Sequence, residues 1–228
     1  TSTLLPYTTL FRSGVTGTSN TLASQLYGIP VLGTMAHSWV QAFPSEYEAF
    51  AAYARSFPQA TVLLVDTYNV LKSGIPNAIR IAREVLEPLG QRLRGIRIDS
   101  GDLAYLTQKA REMLDTSGLH DCRITASNAL DEYIVRDLIQ QNATIDSFGV
   151  GERLITSRAE PVFGGVYKLA AIENGGVTQP CMKFSENAAK ITNPGNKEVW
   201  RFYDRSTGKA IADLITLAGE EIDDTVAY

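Results

Sequence analysis

Cysteine and histidine are scarce in this sequence, with two residues of each among 228. Cys122 and Cys181 lie far apart and outside any CxxC pattern, which argues against a disulfide framework and against a zinc site of the usual ligand spacing. Two thiols without such a pattern favour a reducing compartment, and we therefore expect a cytoplasmic protein.

Long apolar runs and an excess of positive charge are also missing. No apolar stretch approaches the roughly 20 residues that a bilayer span requires, so we expect no membrane segment. The formal charge is -4, which leaves no basic stripe for a phosphate backbone, and we expect no nucleic-acid partner. With 44% hydrophobic and 20% charged residues, the composition is typical of a globular protein with a sizeable core.

Residues 1–13 lack both helical and strand periodicity. Residues 4–13, LLPYTTLFRS, differ only at Leu5 from LFPYTTLFRS, the translation of a common sequencing-library adapter. We therefore expect residues 1–13 to be an adapter-derived, non-native segment, with the natural protein beginning upstream of Gly14. A genuine N-terminal segment is the alternative.

From Gly14 onward, short apolar runs alternate with segments of helical periodicity, which predicts a parallel sheet covered by helices, either a barrel or a doubly wound sheet. From about residue 164 the pattern changes to strand-like runs, and DRSTG predicts the turn of a hairpin. We predict an α/β catalytic domain at 14–163 and an antiparallel β segment at 164–228. The predicted parallel strands are 29–33, 61–66, 95–100, 123–127 and 145–151, and the predicted helices are 44–57, 75–90, 103–118 and 129–141.

Polar residues and glycines end every predicted parallel strand. Because the carboxyl ends of parallel strands open on one edge of a sheet, we expect these residues to converge on one ligand site. Taken singly, each has a structural explanation, such as a helix cap, a tight turn or a half-buried hydrogen-bonded histidine. In chain order the residues are His37, Asp66, Arg97, Asp99, Asp102, Ser127, Asn128, Gly149 and Gly151.

The chemistry of this set predicts a site for an anionic, phosphorylated, sugar-like ligand. ASN and GVG place backbone N–H groups before helices, which is how many barrels hold phosphate. The guanidinium of Arg97 suits a carboxylate or a phosphate, and the aspartates suit ribose hydroxyls or water-bound Mg²⁺. His37 indicates proton transfer or phosphoryl transfer.

Six separated strings carry a family resemblance: GTSNTLASQLYGIPVLGTMAHSWVQAF, IRIDSGDL, SNALDE, FGVGERLITS, GGVYKL and KITNPGNKEVWRFYD. In order and approximate spacing they resemble nicotinate phosphoribosyltransferases over nearly everything after Gly14. The resemblance implies an incomplete irregular α/β barrel of the type II phosphoribosyltransferase kind, with a small antiparallel β appendage. It also implies a homodimer with shared active sites.

The activity implied by the resemblance is formation of nicotinate mononucleotide and pyrophosphate from nicotinate and phosphoribosyl pyrophosphate, in NAD biosynthesis. ATP hydrolysis is coupled to it through a phosphohistidine, and Mg²⁺ accompanies the pyrophosphate. The resemblance assigns phosphorylation to His37 and nicotinate binding to Thr34 and Arg97. It assigns ribose and pyrophosphate contacts to Asp66 and Asp99, and it places Mg²⁺ near Asp99 and Asp102. The residues assigned to binding of the 5'-phosphate are Ser127, Asn128, Gly149 and Gly151.

The sequence departs from the family pattern in two respects. Glu152 stands where many relatives have threonine, and relatives extend further both upstream, where an aromatic residue stacks on nicotinate, and beyond Tyr228. An inactive fragment of this enzyme and a nicotinamide or quinolinate phosphoribosyltransferase therefore stay open as alternatives. A barrel aldolase is disfavoured, because none of the predicted strand ends supplies a lysine.

Overall fold

The computed structural model describes residues 14–156, 167–183 and 191–222. Residues 1–13, predicted to be adapter-derived, lie outside the described residues. The chain divides into two compact units, Thr1–Met35 and Ala36–Tyr228. The predicted domain boundary after residue 163 also falls outside the described residues and stays a prediction. No helix in the described ranges is both long enough and apolar enough to cross a bilayer.

Within the described part of the first unit, one helix forms, α1 (Thr21–Tyr27), and the side chain of Asn20 caps its N-terminus. The strand predicted at 29–33 is wrong, because Val31 makes only an isolated parallel bridge with Thr18. Val31 and Leu32 are each 52% exposed, so this apolar run does not become the buried strand that its composition predicts.

The second unit contains a parallel sheet of four strands, hydrogen-bonded in chain order. Each strand lies inside a predicted segment, which confirms four of the five predicted strands. The α/β class with a parallel sheet is therefore confirmed, whereas closure into a barrel is not shown by the described residues. The strands are β1 (Val62–Leu64), β2 (Gly95–Ile98), β3 (Arg123–Ser127) and β4 (Ser147–Gly149).

Helices connect the strands of this sheet. The segment predicted as one helix at 75–90 begins with an α-helix, Ile75–Ile81, and continues through a π-helical turn, Ala82–Leu86, and a 3-10 turn, Glu87–Leu89. Another π-helical turn, Val70–Gly74, precedes it. The helices of the second unit are α2 (His37–Gln41), α3 (Glu46–Ser56), α4 (Ile75–Ile81), α5 (Leu103–Thr116), α6 (Glu132–Gln140) and α7 (Glu152–Ile155), with a further 3-10 turn at Pro58–Ala60.

The core lies where the apolar sides of these helices meet the sheet. Leu63, Ile96 and Ile124 are fully buried in β1, β2 and β3, and Phe50 and Leu114 are fully buried in helices α3 and α5. Strands that are buried in a parallel sheet appear in the sequence as nearly continuous apolar runs, and for this reason β1, β2 and β3 could be predicted. The core thus fixes the strand ends that carry the polar residues.

Gly74, in the π-helical turn before α4, packs against the backbone of Val65 at the end of β1. A Cβ at position 74 would lie 1.9 Å from the Val65 carbonyl oxygen. We expect Gly74→Ala to lower the free energy of unfolding by about 1–3 kcal/mol, because the steric cost exceeds the helix propensity gained. Urea unfolding measures this change. Gly33→Ala is the control, since a Cβ there meets no atom within 4 Å, and equal stability of the two variants would contradict the prediction.

Two antiparallel pairs follow the parallel sheet. Strand β5 (Ala171–Asn174) pairs with β6 (Val177–Pro180), and β7 (Lys197–Tyr203) pairs with β8 (Ala210–Leu217). The second pair is the predicted hairpin, and the carboxylate of Asp204 holds its turn by accepting hydrogen bonds from Ser206 and Thr207. Antiparallel pairs after the parallel sheet confirm the predicted change of pattern.

Candidate active site

Arg97, in β2, links two other predicted residues at the carboxyl ends of the strands. Its Nε donates to Oγ of Ser127 at 2.8 Å, and its Nη2 donates to Oδ1 of Asp99 at 2.8 Å. The Ser127 hydroxyl also donates to Oδ1 of Asp99. Side chains two residues apart on a strand share a face, and β2 pairs with β3 through Arg97 and Thr125, so the register itself brings these groups together.

Asp66, two residues after the end of β1, joins the same group of residues. Its Oδ2 accepts hydrogen bonds from the backbone N–H of Asp99, at 3.2 Å, and from the hydroxyl of Ser100. Its Oδ1 is buried and has no hydrogen-bond partner among the described residues. A buried carboxylate oxygen without a donor is costly, so Asp66 offers one oxygen to a ligand or cation.

His37, the first residue of α2, lies against both aspartates. Its Nε2 is 3.9 Å from Oδ1 of Asp66 and 3.8 Å from Oδ2 of Asp99. Its Nδ1 is 3.1 Å from the hydroxyl oxygen of Thr67. Two carboxylates beside Nε2 favour a proton on that nitrogen, which leaves the lone pair on Nδ1 to accept from Thr67. Contacts at both ring nitrogens therefore fix the orientation of the imidazole.

The carboxylate of Asp99 is held in its ionised form. Burial opposes ionisation, but the contact with His37, the hydroxyl of Ser127 and the charge of Arg97 outweigh it and hold the pKa of Asp99 well below its usual range. Asp99 therefore presents a permanent negative charge to His37 across the pH range in which a folded protein is handled.

The loop after β3 contains two consecutive residues in a strained backbone conformation. Asn128 and Ala129 both have positive φ, 114° and 45°, in the region that L-residues rarely occupy. Gly149 pairs with Ser127 across the sheet, and a Cβ at position 149 would lie 3.2 Å from Cβ of Ser127. Strained turns of this kind concentrate at ligand sites. Ser127 and Asn128 do not cap the next helix, because Asp131 takes that role.

An ion pair with one buried partner joins the segments that follow these two strands. Oδ1 of Asp131 accepts from the backbone N–H of Ile134 at 2.9 Å and so caps α6, while Oδ2 pairs with Nη1 of Arg153 in α7. The side chain of Asp131 is 5% exposed, so the pair is shielded from solvent on that side. We call this pair the Asp131–Arg153 clasp.

Among the predicted positions of the second unit, Asp102 and Gly151 lie outside this network. Thr34 belongs to the first unit, where its hydroxyl donates to the carbonyl oxygen of Met35. Asp102 accepts from the backbone N–H of Tyr105 and caps α5, so its capping role is the one observed. Gly151 precedes α7, and Glu152, its first residue, is exposed. No group of three or more His, Cys, Asp or Glu side chains within the described ranges is arranged to hold a metal ion.

Glu46 is a buried residue near the site that the sequence did not reveal. It is 4% exposed, and its Oε2 accepts from the hydroxyl of Ser73 and from Nδ2 of Asn77 at 2.9 Å. Burial raises the pKa of Glu46 despite these hydrogen bonds, and the charge of Asp66 raises it further. In the sequence it was an ordinary acidic residue in a first helical turn. The contacts of Thr67 with His37 and of Ser100 with Asp66 were not predicted either, since only their positions next to Asp66 and Asp99 pointed to the site.

Glu46→Gln tests the pH dependence that this burial implies. A carboxyl whose folded pKa lies above its unfolded value, near 4.3, destabilises the fold as pH rises through that interval. We therefore expect Glu46→Gln to lose less stability than the wild type between about pH 4 and pH 7. Urea unfolding at several pH values measures this. The control is Glu48→Gln, an exposed change in the same helix, and parallel pH profiles for Glu46→Gln and the wild type would contradict the expectation.

Comparison with known proteins identifies relatives over most of the chain. The model of the nicotinate phosphoribosyltransferase (NAPRTase) family matches residues 8–214. A nicotinate phosphoribosyltransferase of Bacillus subtilis is 47% identical over 213 residues, which cover 92% of this chain and 42% of that protein. The human nicotinate phosphoribosyltransferase is 33% identical over 265 residues, covering 93% of this chain and 48% of that protein.

Solved structures agree with these sequence relatives. The crystal structure of the human nicotinic acid phosphoribosyltransferase has a TM-score of 0.57 at 30% identity, covering 93% of this chain and 48% of that one. The Porphyromonas gingivalis nicotinate phosphoribosyltransferase has a TM-score of 0.61 at 22% identity, covering 81% and 51%, and supports the fold alone. This chain thus spans about half the length, or less, of the relatives it matches. The match of the family model and the identity to the Bacillus subtilis protein show that this chain belongs to the nicotinate phosphoribosyltransferase family.

Proposed function

We propose that this chain supplies part of the active site of an enzyme that makes nicotinate mononucleotide and pyrophosphate from nicotinate and phosphoribosyl pyrophosphate. The observation that carries the proposal is the network in which Arg97, Asp99, Ser127 and His37 contact one another at the carboxyl ends of the strands. Membership in the family supports the same reaction.

Arg97 is proposed to bind the carboxylate of nicotinate. A guanidinium offers charge and directional donors together, and a carboxylate gains from both, whereas the neutral amide of nicotinamide gains less. The contacts with Asp99 and Ser127 fix the direction of the guanidinium before the ligand arrives. The family resemblance adds Thr34 as a second nicotinate contact.

The glycosyl transfer needs orientation and charge stabilisation. The ring nitrogen of nicotinate forms a bond to the anomeric carbon as the bond from that carbon to the pyrophosphate oxygen breaks, and an oxocarbenium-like state develops between the two events. Because the nitrogen attacks through its lone pair, no general base is required. Asp66 and Asp99 are proposed to stabilise the positive charge on the ribose through their negative charges.

The carboxylates of Asp66 and Asp99 also fit a Mg²⁺ ion carried by the pyrophosphate. Hard oxygen ligands of this kind suit Mg²⁺, which typically keeps several waters and binds protein through one or two carboxylates. The buried Oδ1 of Asp66, which lacks a hydrogen-bond donor among the described residues, is the observation that supports this fit. Bound there, Mg²⁺ would neutralise the leaving group. Asp102 is not proposed as a ligand, because it caps α5.

His37 is proposed to carry the phosphoryl group that couples ATP hydrolysis to turnover. The lone pair of Nδ1 forms the P–N bond as the bond from the γ-phosphorus to the ADP oxygen breaks. Nε2 keeps its proton, and the positive charge that the ring acquires faces Asp66 and Asp99. The hydroxyl of Thr67 must turn away from Nδ1 for this step.

The loops after β3 and β4 are proposed to hold the 5'-phosphate of the ribose. Backbone N–H groups in turns with positive φ form concave anion sites, and Asn128 and Ala129 have this conformation. Ser127, Gly149 and Gly151 complete the proposed cradle. A homodimer with shared active sites and a cytoplasmic location are proposed by family resemblance.

The test is formation of nicotinate mononucleotide by the full-length enzyme that carries this segment, measured with and without ATP. We expect product from nicotinate, stimulation by ATP and little product from nicotinamide. Equal use of nicotinamide, or use of quinolinate instead, would overturn the assignment. The 228-residue chain is assayed in parallel, and its inactivity beside an active full-length enzyme would identify it as an incomplete active site.

A further inference from the structure

Glu46 is buried beside the site, and the proposed reaction gives it no part. An acidic residue at the start of a helix often only stabilises that helix, but the Glu46 carboxylate contacts other elements. Its Oε2 accepts from the Ser73 hydroxyl in the π-helical turn and from Nδ2 of Asn77 in α4. Its Oε1 is buried and has no hydrogen-bond partner among the described residues. Buried polar atoms are almost always hydrogen-bonded, and an exception calls for an explanation.

The π-helical turn that Glu46 contacts lies directly against the chain after β1. Gly74 in this turn approaches Val65 so closely that a Cβ would lie 1.9 Å from the Val65 carbonyl oxygen. Loop 66–69 connects these two contacting segments, and its last residue, Asn69, caps the turn with its side chain. In a close-packed interior, a shift of one segment is transmitted to its neighbours. The position of loop 66–69 therefore depends on the turn, and the turn is held by Glu46.

Loop 66–69 supplies two contacts of His37. Oδ1 of Asp66 lies 3.9 Å from Nε2, and the hydroxyl oxygen of Thr67 lies 3.1 Å from Nδ1. Asp66 has further supports, since its Oδ2 accepts hydrogen bonds from residues 99–100. The hydroxyl of Thr67 has no second hydrogen-bond partner of this kind in the described ranges. The contact between Thr67 and His37 is therefore the one that depends most on the loop.

Helix α3 supports the other side of this contact as well. Nε1 of Trp39 in α2 donates to the carbonyl oxygen of Ala49 in α3 at 3.0 Å, and His37 is the first residue of α2. The same helix thus holds α2 through Ala49 and the π-helical turn through Glu46. Both partners of the contact between His37 and Thr67 share one support.

We propose that Glu46 is a positioning residue that keeps Thr67 on Nδ1 of His37, acting through the π-helical turn and loop 66–69. The proposal rests on the function proposed above, in which His37 accepts a phosphoryl group, and extends it to a residue that touches no substrate. Thr67 holds the imidazole in place until its hydroxyl turns away for the transfer. Phosphoryl transfer requires the attacking nitrogen to face the donor, and a ring released from Thr67 spends less time in that orientation.

Glu46→Ala in the full-length enzyme that carries this segment tests the proposal. We expect the rate of phosphohistidine formation, divided by the rate of nicotinate mononucleotide synthesis without ATP, to fall roughly tenfold. Loss of folded enzyme lowers both rates together and leaves this ratio unchanged. Glu46→Gln keeps an oxygen that accepts from Ser73 and Asn77 and should restore most of the ratio. Glu48→Ala, an exposed change in the same helix, is the control and should leave the ratio at the wild-type value.

Carbethoxylation of His37 by diethyl pyrocarbonate is a second measurement, which needs no enzymatic activity. The reagent attacks the imidazole lone pair without a fixed orientation, so release of Nδ1 from Thr67 should speed the modification while phosphoryl transfer slows. Mass spectrometry measures the rate at His37 relative to His120, whose side chain is 73% exposed, in the same protein. We expect this relative rate to rise several-fold in Glu46→Ala and to stay near the wild-type value in Glu46→Gln.

The outcomes decide the proposal separately from the function of His37. Slower phosphoryl transfer with faster carbethoxylation supports it, whereas an unchanged relative rate of carbethoxylation in Glu46→Ala, or no recovery in Glu46→Gln, overturns it. If Glu46→Ala does not fold, Ser73→Ala removes one donor to the same carboxylate and should change both measurements in the same directions. If the wild type forms no phosphohistidine, the proposed function of His37 fails, and carbethoxylation alone decides the role of Glu46.

Discussion

His37→Ala is expected to abolish formation of the phosphoprotein and to remove all stimulation of the reaction by ATP. The imidazole of His37 places Nε2 beside the two aspartates and leaves Nδ1 as the nucleophile, and no neighbouring side chain in the described ranges supplies a second imidazole. The slow ATP-independent reaction should survive, because the network of Arg97, Asp99 and Ser127 does not depend on the ring. Acid-labile incorporation of phosphate from ATP and the rate with and without ATP measure these effects.

His120→Ala is the matched control for this substitution. The side chain of His120 is 73% exposed and pairs with Asp115 at the end of α5, away from the strand ends. We expect it to retain phosphorylation and ATP stimulation. Undiminished ATP stimulation in His37→Ala would show that the imidazole is structural, which is the alternative that its hydrogen bond to Thr67 leaves available.

Arg97→Met is expected to lower kcat/KM for nicotinate by about 1000-fold, or about 4 kcal/mol of transition-state stabilisation. The substitution removes the charge that is proposed to bind the nicotinate carboxylate, and it also removes the guanidinium donors of Asp99 and Ser127. Arg97→Lys keeps the charge without the directional pair of donors, so it should recover only part of the loss. Initial rates at varied nicotinate concentration measure both variants.

Arg92→Met is the control for Arg97→Met. Arg92 forms an ion pair with Asp121, and both side chains are more than half exposed, so its removal should leave kcat/KM unchanged and stability nearly so. Because Arg97→Met leaves Asp99 without its cation, urea unfolding of the variant is measured beside its kinetics. A folded Arg97→Met enzyme with a wild-type preference for nicotinate over nicotinamide would remove Arg97 from the carboxylate site.

The sequence predicted strands β1, β2 and β3 because most of their residues are buried. Leu63, Ile96 and Ile124 are fully buried and belong to short runs of apolar residues, which are typical of buried parallel strands. The same rule failed at 29–33, where the run is equally apolar but Val31 and Leu32 remain half exposed. An apolar segment is stabilised by burial, but whether it is buried depends on the segments that pack against it. The local sequence does not reveal those packing partners.

The sequence predicted the part of the site that lies at the carboxyl ends of the strands. Arg97, Asp99 and Ser127 meet because two parallel strands pair in a fixed register, and that geometry follows from the strand assignment. Glu46 and Ser73 meet because α3 packs beside the π-helical turn, and no pattern in either segment records that packing. Contacts made by neighbouring strands were therefore visible in advance, and contacts made by packed helices were not.

The Asp131–Arg153 clasp sets a limit on how this part of the protein can evolve. One carboxylate starts α6 and neutralises a cation of α7, so replacing Asp131 alone leaves a helix uncapped and an arginine without its counter-charge. Replacing Arg153 alone removes one cation from the carboxylate of Asp131, whose side chain is 5% exposed. Substitutions at either position are therefore expected to disturb the segments after β3 and β4 together.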